Sequence, residues 1–186
     1  PPRVLKKDYL DLNPLGTIPL LLDGDVRLTE SAAICQYLAV KHPPRALNVE
    51  PDEPGYADYL NFLHFGEATL TFPQTLVLRY SRLEPKERRQ PQVAEDYAKW
   101  FVARLRTLEP RLQAGEFLAA GRFTAADVSV GYALMLAETL GLSARFTPAV
   151  AAYWQRLQQR PGFQRALQAQ EQASREQGVQ AANLKA

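Results

Sequence analysis

The sequence of 186 residues contains a single cysteine, Cys35, so no disulfide can close within it, and a reducing compartment is the expected setting. Histidine is almost as scarce, with only His42 and His64. No Cys or His cluster has metal-ligand spacing, so no metal is expected. A glycine-rich phosphate loop is missing, and no Ser, His and Asp set stands at a spacing that suggests nucleophilic catalysis. No apolar run approaches the ~18 to 20 residues of a membrane span, and no secretory leader pattern opens the sequence. A cytoplasmic protein that does not enter a membrane is expected. Charge of one sign is lacking too: 22 Lys and Arg stand against 20 Asp and Glu, for a net charge of +2. The basic residues are scattered among acids, which gives no electrostatic footprint for nucleic acid or an anionic surface. Even Lys86-Glu87-Arg88-Arg89 reads as a solvated loop.

Hydrophobic residues make up 46% and charged residues 23% of the chain, the balance of an ordinary globular protein with a packed core. Its amino-terminal part reads as strand, turn, strand, helix. Leu20-Leu21-Leu22 is a short apolar run, Asp23-Gly24 a hairpin signal, and Val26-Arg27-Leu28 alternates. Pro19 opens the first strand, where its missing N–H is tolerated. Thr29-Glu30-Ser31 supplies capping chemistry to a helix carrying Ile34, Tyr37 and Leu38 on one face, stopped by His42-Pro43-Pro44.

The proline-rich, charged stretch 43–54 reads as a linker, and everything after it reads as helical. Tyr59, Leu60, Leu63 and Leu70 predict a first helix with a break near Pro73. Val93 through Leu112 predict one long amphipathic helix. Thr124 and Asp127 form a capping box at the start of a third, with Phe123 and Val128 placed as its hydrophobic staple; this is a structural device rather than a catalytic one. Val150, Tyr153, Trp154 and Leu157 define a fourth helix. A short one begins at Phe163, and the Gln-, Ala- and Glu-rich tail after Gln168 is helix-prone but lacks a sustained apolar face and is expected to be partly disordered. The architecture is an α+β fragment joined to an all-α region.

The chemistry concentrates in the stretch from Gly16 to Ala39. An Ile18-Pro19 bond at a strand start invites a cis peptide, which would leave the Ile18 main chain free to pair with an extended peptide. Ser31 stands at a helix N-terminus, where free N–H groups and the dipole favour a carboxylate, and Glu30 can accept from an ammonium group. Together they describe a site for a small zwitterionic peptide. The plainer alternative is that Pro19 starts a strand and Ser31 caps a helix; spacing alone does not choose. Elsewhere, Cys35 reads as a buried small hydrophobe, His42 as a solvated helix end, and His64 as a packed or interface residue.

Asn13-Pro14-x-Gly16-x-Ile18-Pro19-x-Leu21-x-Asp23-Gly24, followed by Leu28-Thr29-Glu30-Ser31-x-Ala33-Ile34 and Tyr37-Leu38, resembles the second half of the thioredoxin-like domain of cytosolic glutathione transferases of bacterial type. Phe123-Thr124-x-Ala126-Asp127-x-Ser129 is similar to that family's helical-domain capping signature, and Arg160-Pro161-x-Phe163-x-x-Ala166 to its closing helix. The resemblance implies that residues 1–42 are the C-terminal half of a thioredoxin-like glutathione-binding domain, 43–54 a linker and 55–186 an all-helical domain. It implies glutathione as co-substrate, held by the Ile18 main chain beside Pro19 and by Glu30 and Ser31, with Glu67 a further candidate for the glutamyl amine. Tyr59, Phe62, Phe65, Tyr80 and Tyr132 are the candidates to wall the pocket for a small hydrophobic electrophile, in a homodimer with the helix from Tyr56 to about Phe72 near the two-fold.

In that family the fold opens with a β-α-β unit whose first strand ends in the Tyr, Ser or Cys that stabilises the thiolate. Such a unit needs ~30 residues, and the segment Pro1 to Tyr9 corresponds at best to the irregular stretch that follows it. The unit is therefore expected to be lacking from this sequence and no catalytic residue is assigned; Tyr9 is not promoted to that role. The expected activity is conjugation of the glutathione thiolate to electrophiles in a detoxifying transferase. A binding or assembly module that keeps the fold without catalysis is the alternative.

Overall fold

A computed structural model describes residues 6–178 of the chain. It opens with helix α1 (Lys7–Leu12), followed by the two-stranded antiparallel hairpin β1 (Leu21–Asp23) and β2 (Val26–Leu28), then helix α2 (Ser31–Lys41). Leu21 pairs with Leu28, Leu22 with Arg27 and Asp23 with Val26, so the loop is Gly24-Asp25, one residue later than the Asp-Gly signal suggested. Gly24 at φ +59° supplies the left-handed first loop position that a two-residue hairpin requires. Asp23 remains in the strand and ties the hairpin to α2. Its carboxylate accepts from the Tyr37 hydroxyl at 3.0 Å and pairs with the Lys41 ammonium. Lys41, then Tyr37, hold the Asp23 carboxyl below its ordinary value.

Beyond residue 43 the chain is helical. α3 (Tyr56–Phe65) runs into a π turn (Gly66–Thr71) and on into α4 (Phe72–Leu78), which ends in a second π turn (Arg79–Leu83). The expected break at Pro73 does not occur. Pro73 sits in the first turn of α4, and the widened turn just before it accommodates the residue that cannot donate an N–H. α5 (Pro91–Leu105) and α6 (Glu109–Ala114) replace the single long helix that the periodicity predicted. Pro110 removes the N–H that would have continued the ladder, and the chain turns at residues 106–108. α7 (Ala125–Thr139), α8 (Pro148–Gln158) and α9 (Pro161–Glu176) complete the order.

α9 is much longer than the short helix expected because residues 169–176 of the helix-prone tail continue it; the rest of that tail lies largely outside the described residues. α9 buries no residue, and its last turns carry polar pairs four residues apart: Arg175 with Glu171, and Gln172 Nε2 donating to Glu176 at 2.8 Å. Among the described residues no helix is long and apolar enough to cross a membrane.

α7 is the central element. Val130, Ala133, Leu134 and Ala137 are buried on it, and it packs against α3, the first π turn, α2 and α8. Gly66 permits the closest of these approaches: a Cβ there would lie 2.6 Å from the Ser129 carbonyl oxygen. Gln74, fully buried on α4, donates to the Leu70 and Ala133 carbonyls, each at 3.0 Å, and so ties α4 to α7. At the head of α7, Asp127 accepts from Thr124 N at 2.8 Å, Leu118 N at 3.1 Å and the Tyr153 hydroxyl at 2.7 Å. Burial nevertheless pushes its carboxyl above the ordinary value. The stretch 43–54 is not a loose connector: Val49 and Asn48 are buried, and Ala125 N donates to the Leu47 carbonyl at 2.9 Å.

Candidate functional site

The loop leading to the hairpin is shaped by a residue that sequence reasoning passed over. Asn13, buried at the end of α1, donates from Nδ2 to the Thr17 carbonyl at 2.9 Å and accepts from Leu15 N at 3.2 Å. The Tyr9 hydroxyl also donates to the Thr17 carbonyl, which gives Tyr9 a structural task, and Arg27 donates to the Leu12 carbonyl at 2.7 Å. The signal for Asn13 was its place in a turn sequence, Asn-Pro-x-Gly, where an Asx side chain organises its own backbone. This frame presents the next residue outward. Ile18 is 60% exposed, the Ile18-Pro19 bond is cis, and neither Ile18 main-chain polar group is paired among the described residues.

The other end of the hairpin delivers Glu30 and Ser31. Glu30 takes the N-cap position of α2 and makes no side-chain capping bond, so Ser31 is the first helical residue and not the cap. Its hydroxyl donates instead to Glu67 Oε2 at 3.3 Å, across to the first π turn. The helix N-terminus carries free N–H groups and a partial positive charge beside two exposed carboxylates, Glu30 and Glu67. That is an arrangement for a group bearing both a carboxylate and an ammonium. The close approach at Gly66 is what brings Glu67 within reach of Ser31, since the two residues are adjacent on the π turn.

The aromatic candidates separate. Tyr59 and Phe62 lie inside the core and have almost no surface to offer. The Tyr59 hydroxyl has no hydrogen-bond partner, and burial pushes it up to about 12. Phe65 is half-buried and meets Phe62 edge-on at 5.8 Å, while Tyr80 is half-buried on the second π turn. Tyr132 stands apart from these four, on a cavity of about 470 Å³ between α7, α8 and α9. Cys35 packs against the core, where burial raises its thiol above the ordinary value; it is not poised as a nucleophile. His42 and His64 are exposed, so His64 is not packed within the subunit.

Comparison with known proteins identifies relatives along most of the chain. Residues 1–41 match the family model described as glutathione S-transferase, N-terminal domain. Glutathione S-transferase 3 of Zea mays is 32% identical over 170 residues, covering 87% of this chain and 75% of that protein. Glutathione S-transferase GstA of Escherichia coli O157:H7 is 32% identical over 171 residues, covering 88% of this chain and 78% of its own. Among solved structures, the glutathione transferase URE2P6 of Phanerochaete chrysosporium, in complex with oxidized glutathione, superposes with a TM-score of 0.78 at 29% identity, over 90% of this chain and 79% of that one. With two relatives above 30% identity spanning most of both chains, the chain belongs to the glutathione S-transferase family.

Proposed function

We propose that the protein binds glutathione at the face formed by Ile18, Glu30, Ser31 and Glu67 and serves as a glutathione transferase. The observation that carries this reading is the Ser31 to Glu67 contact at 3.3 Å, which sets a hydroxyl and a carboxylate together at the N-terminus of α2, beside the N-cap residue Glu30. The γ-glutamyl carboxylate would accept from Ser31 and the first N–H groups of α2, and its ammonium would face Glu30 and Glu67. The cysteinyl main chain would pair with the free N–H and C=O of Ile18, as an added strand does.

The reaction is attack of the glutathione sulfur on an electrophilic carbon. The thiol gives up its proton, a sulfur–carbon bond forms, and a leaving group departs with its electron pair or an activated double bond takes up the electrons. The residues described here bind and orient the tripeptide; none of them is assigned the stabilisation of the thiolate. A small hydrophobic electrophile would lie toward the helical region, where Phe65, two residues before Glu67, and Tyr80, farther along the same helical run, retain exposed surface. The working form would be a homodimer meeting along α3 and α4. Phe72 is 52% exposed there and meets Trp100 edge-on at 6.2 Å, an apolar patch of the kind found at interfaces.

Retention on immobilised glutathione tests the site. The unaltered protein is retained and eluted by free glutathione, and Ser31→Ala elutes early; equal retention of the variant would remove Ser31 from the site. Sedimentation measures the dimer, and Phe72→Glu is expected to shift it toward monomer.

A further inference from the structure

Tyr9 and Asn13 stand four residues apart at the end of α1, so their side chains leave the same face of the helix. Both donate to one atom: the Thr17 carbonyl oxygen accepts from Asn13 Nδ2 at 2.9 Å and from the Tyr9 hydroxyl. Two donors occupy both lone pairs of that oxygen. Asn13 alone already bridges the two ends of the turn, from Leu15 N at 3.2 Å to the Thr17 carbonyl. The Tyr9 hydroxyl therefore adds a second donor to an acceptor that is satisfied without it. α1 is held in place for this task, because Asn13 N donates to the Tyr9 carbonyl at 2.8 Å and Arg27 donates to the Leu12 carbonyl at 2.7 Å.

The Thr17 carbonyl and the Ile18 N–H belong to the same peptide unit. That unit is trans, so its C=O and N–H point in opposite directions. The carbonyl faces Tyr9 and Asn13, and the N–H faces away from them, on a residue that is largely exposed and with no partner among the described residues. Two consequences follow for a ligand that meets Ile18. Fixing the carbonyl fixes the plane of the unit, so the N–H is aimed before a ligand arrives and little ordering is left for binding. Donation onto the carbonyl also draws electron density from the amide nitrogen and makes the N–H a stronger donor, as in any chain of hydrogen bonds that polarise one another.

We propose that Tyr9 is a positioning residue for glutathione. Its hydroxyl, acting with Asn13 through the Thr17–Ile18 peptide unit, aims and strengthens the Ile18 N–H that donates to the cysteinyl carbonyl. The inference rests on the glutathione reading of Ile18 and adds to it a residue that acts only through another. The Tyr9 proton is committed to the Thr17 carbonyl, so Tyr9 contributes to binding the tripeptide and not to activating its sulfur.

Calorimetric titration with two ligands tests this on the full chain. One ligand is glutathione; the other is γ-glutamylcysteinyl-glycolate, in which oxygen replaces the glycine N–H. Its cysteinyl carbonyl is that of an ester, a weaker acceptor for the Ile18 N–H. The unaltered protein is expected to bind glutathione about fivefold more tightly than the ester. Tyr9→Phe removes one oxygen from a half-buried side chain. It is expected to weaken glutathione about fivefold and the ester less than about twofold, because a weaker acceptor gains less from a strengthened donor. In the free Tyr9→Phe protein the Ile18 amide proton is expected to move upfield while the α2 amide signals keep their positions. Ser31→Ala acts at the glutamyl end and is expected to weaken both ligands by the same factor. Absence of binding by the unaltered protein overturns the glutathione reading and this inference with it. Binding that Ser31→Ala weakens and Tyr9→Phe leaves unchanged overturns the role of Tyr9 alone. Equal losses of both ligands in Tyr9→Phe make Tyr9 a prop for the loop and overturn that role as well.

Discussion

From Asn13 to Lys41 the buried side chains are Asn13, Ala32 and Ala39, small or polar, while Ile18, Leu22 and Val26 stand exposed. From α3 to α8 the buried set includes Tyr59, Phe62, Leu63, Leu70, Phe101, Leu105, Leu134, Tyr153 and Trp154. The first region carries most of the groups proposed to bind glutathione and contributes little to the core; the second carries the core and contributes Glu67. A two-stranded hairpin is marginal by itself in water. Here it is held from outside by Asp23 on Tyr37 and Lys41, by Asn13 on Thr17 and by the packing of α2 against α7. Stability and recognition are therefore separable to first order, with the Gly66 π turn as the place where they meet.

The sharpest way to break that division is at Asp127. Asp127→Ala orphans Tyr153 OH, Thr124 N and Leu118 N inside the core, and a loss of about 3 to 4 kcal/mol in urea unfolding is expected. Gly66→Ala comes next. Its methyl has no room beside the Ser129 backbone, so α7 and the π turn must separate at about 2 to 3 kcal/mol. Unlike Asp127→Ala in a protein still folded, it should also weaken glutathione retention, because Glu67 moves with the turn. A variant that kept full retention would disconnect the π turn from the site.

Two buried tyrosines sharpen the account of the core. Tyr153→Phe removes a 2.7 Å donor to Asp127 and should destabilise by about 1 to 2 kcal/mol. Tyr59→Phe removes a hydroxyl that has no partner and should leave thermal stability unchanged or slightly raised. The smallest effect belongs to the hairpin. Asp23 has a folded value below its ordinary 3.8, so its contribution is present above that pH and is lost as pH falls through the lowered value. Lys41, raised above 10.5, loses its share as pH rises through the raised value. Asp23→Asn should flatten both limbs in amide exchange of β1 and β2, while the α7 amides respond little.

Much of this was legible in the sequence because local chemistry decided it. The hairpin, α2, the Asp127 capping box and the fourth helix all follow from residues within a few positions of each other. The failures came where distant residues or a single missing N–H decided. Pro110 splits a periodic run that looks continuous, and Pro73 is absorbed by a π turn that no periodicity announces. α9 runs on past Gln168 into the tail whose helix-prone composition was legible, and pairs such as Arg175 and Glu171 support it there. At the site, Glu30, Ser31 and the exposed main chain of Ile18 could be inferred from neighbours, but the approach of Glu67 depends on Gly66 meeting Ser129, 63 positions later in the numbering. Asn13 was visible only as part of a turn sequence, and the burial of Tyr59 and Phe62 depends on α7 covering α3.

The central claim is that Ser31 and Glu67, from the two regions, hold one end of glutathione together. Calorimetric titration of the protein with glutathione, beside Ser31→Ala, Glu67→Gln and the double variant, measures this directly. Each single variant is expected to bind about tenfold more weakly, with the double variant losing less than the two losses combined, because the residues act on the same group. Unchanged affinity in Glu67→Gln, or strictly additive losses, would contradict a shared site.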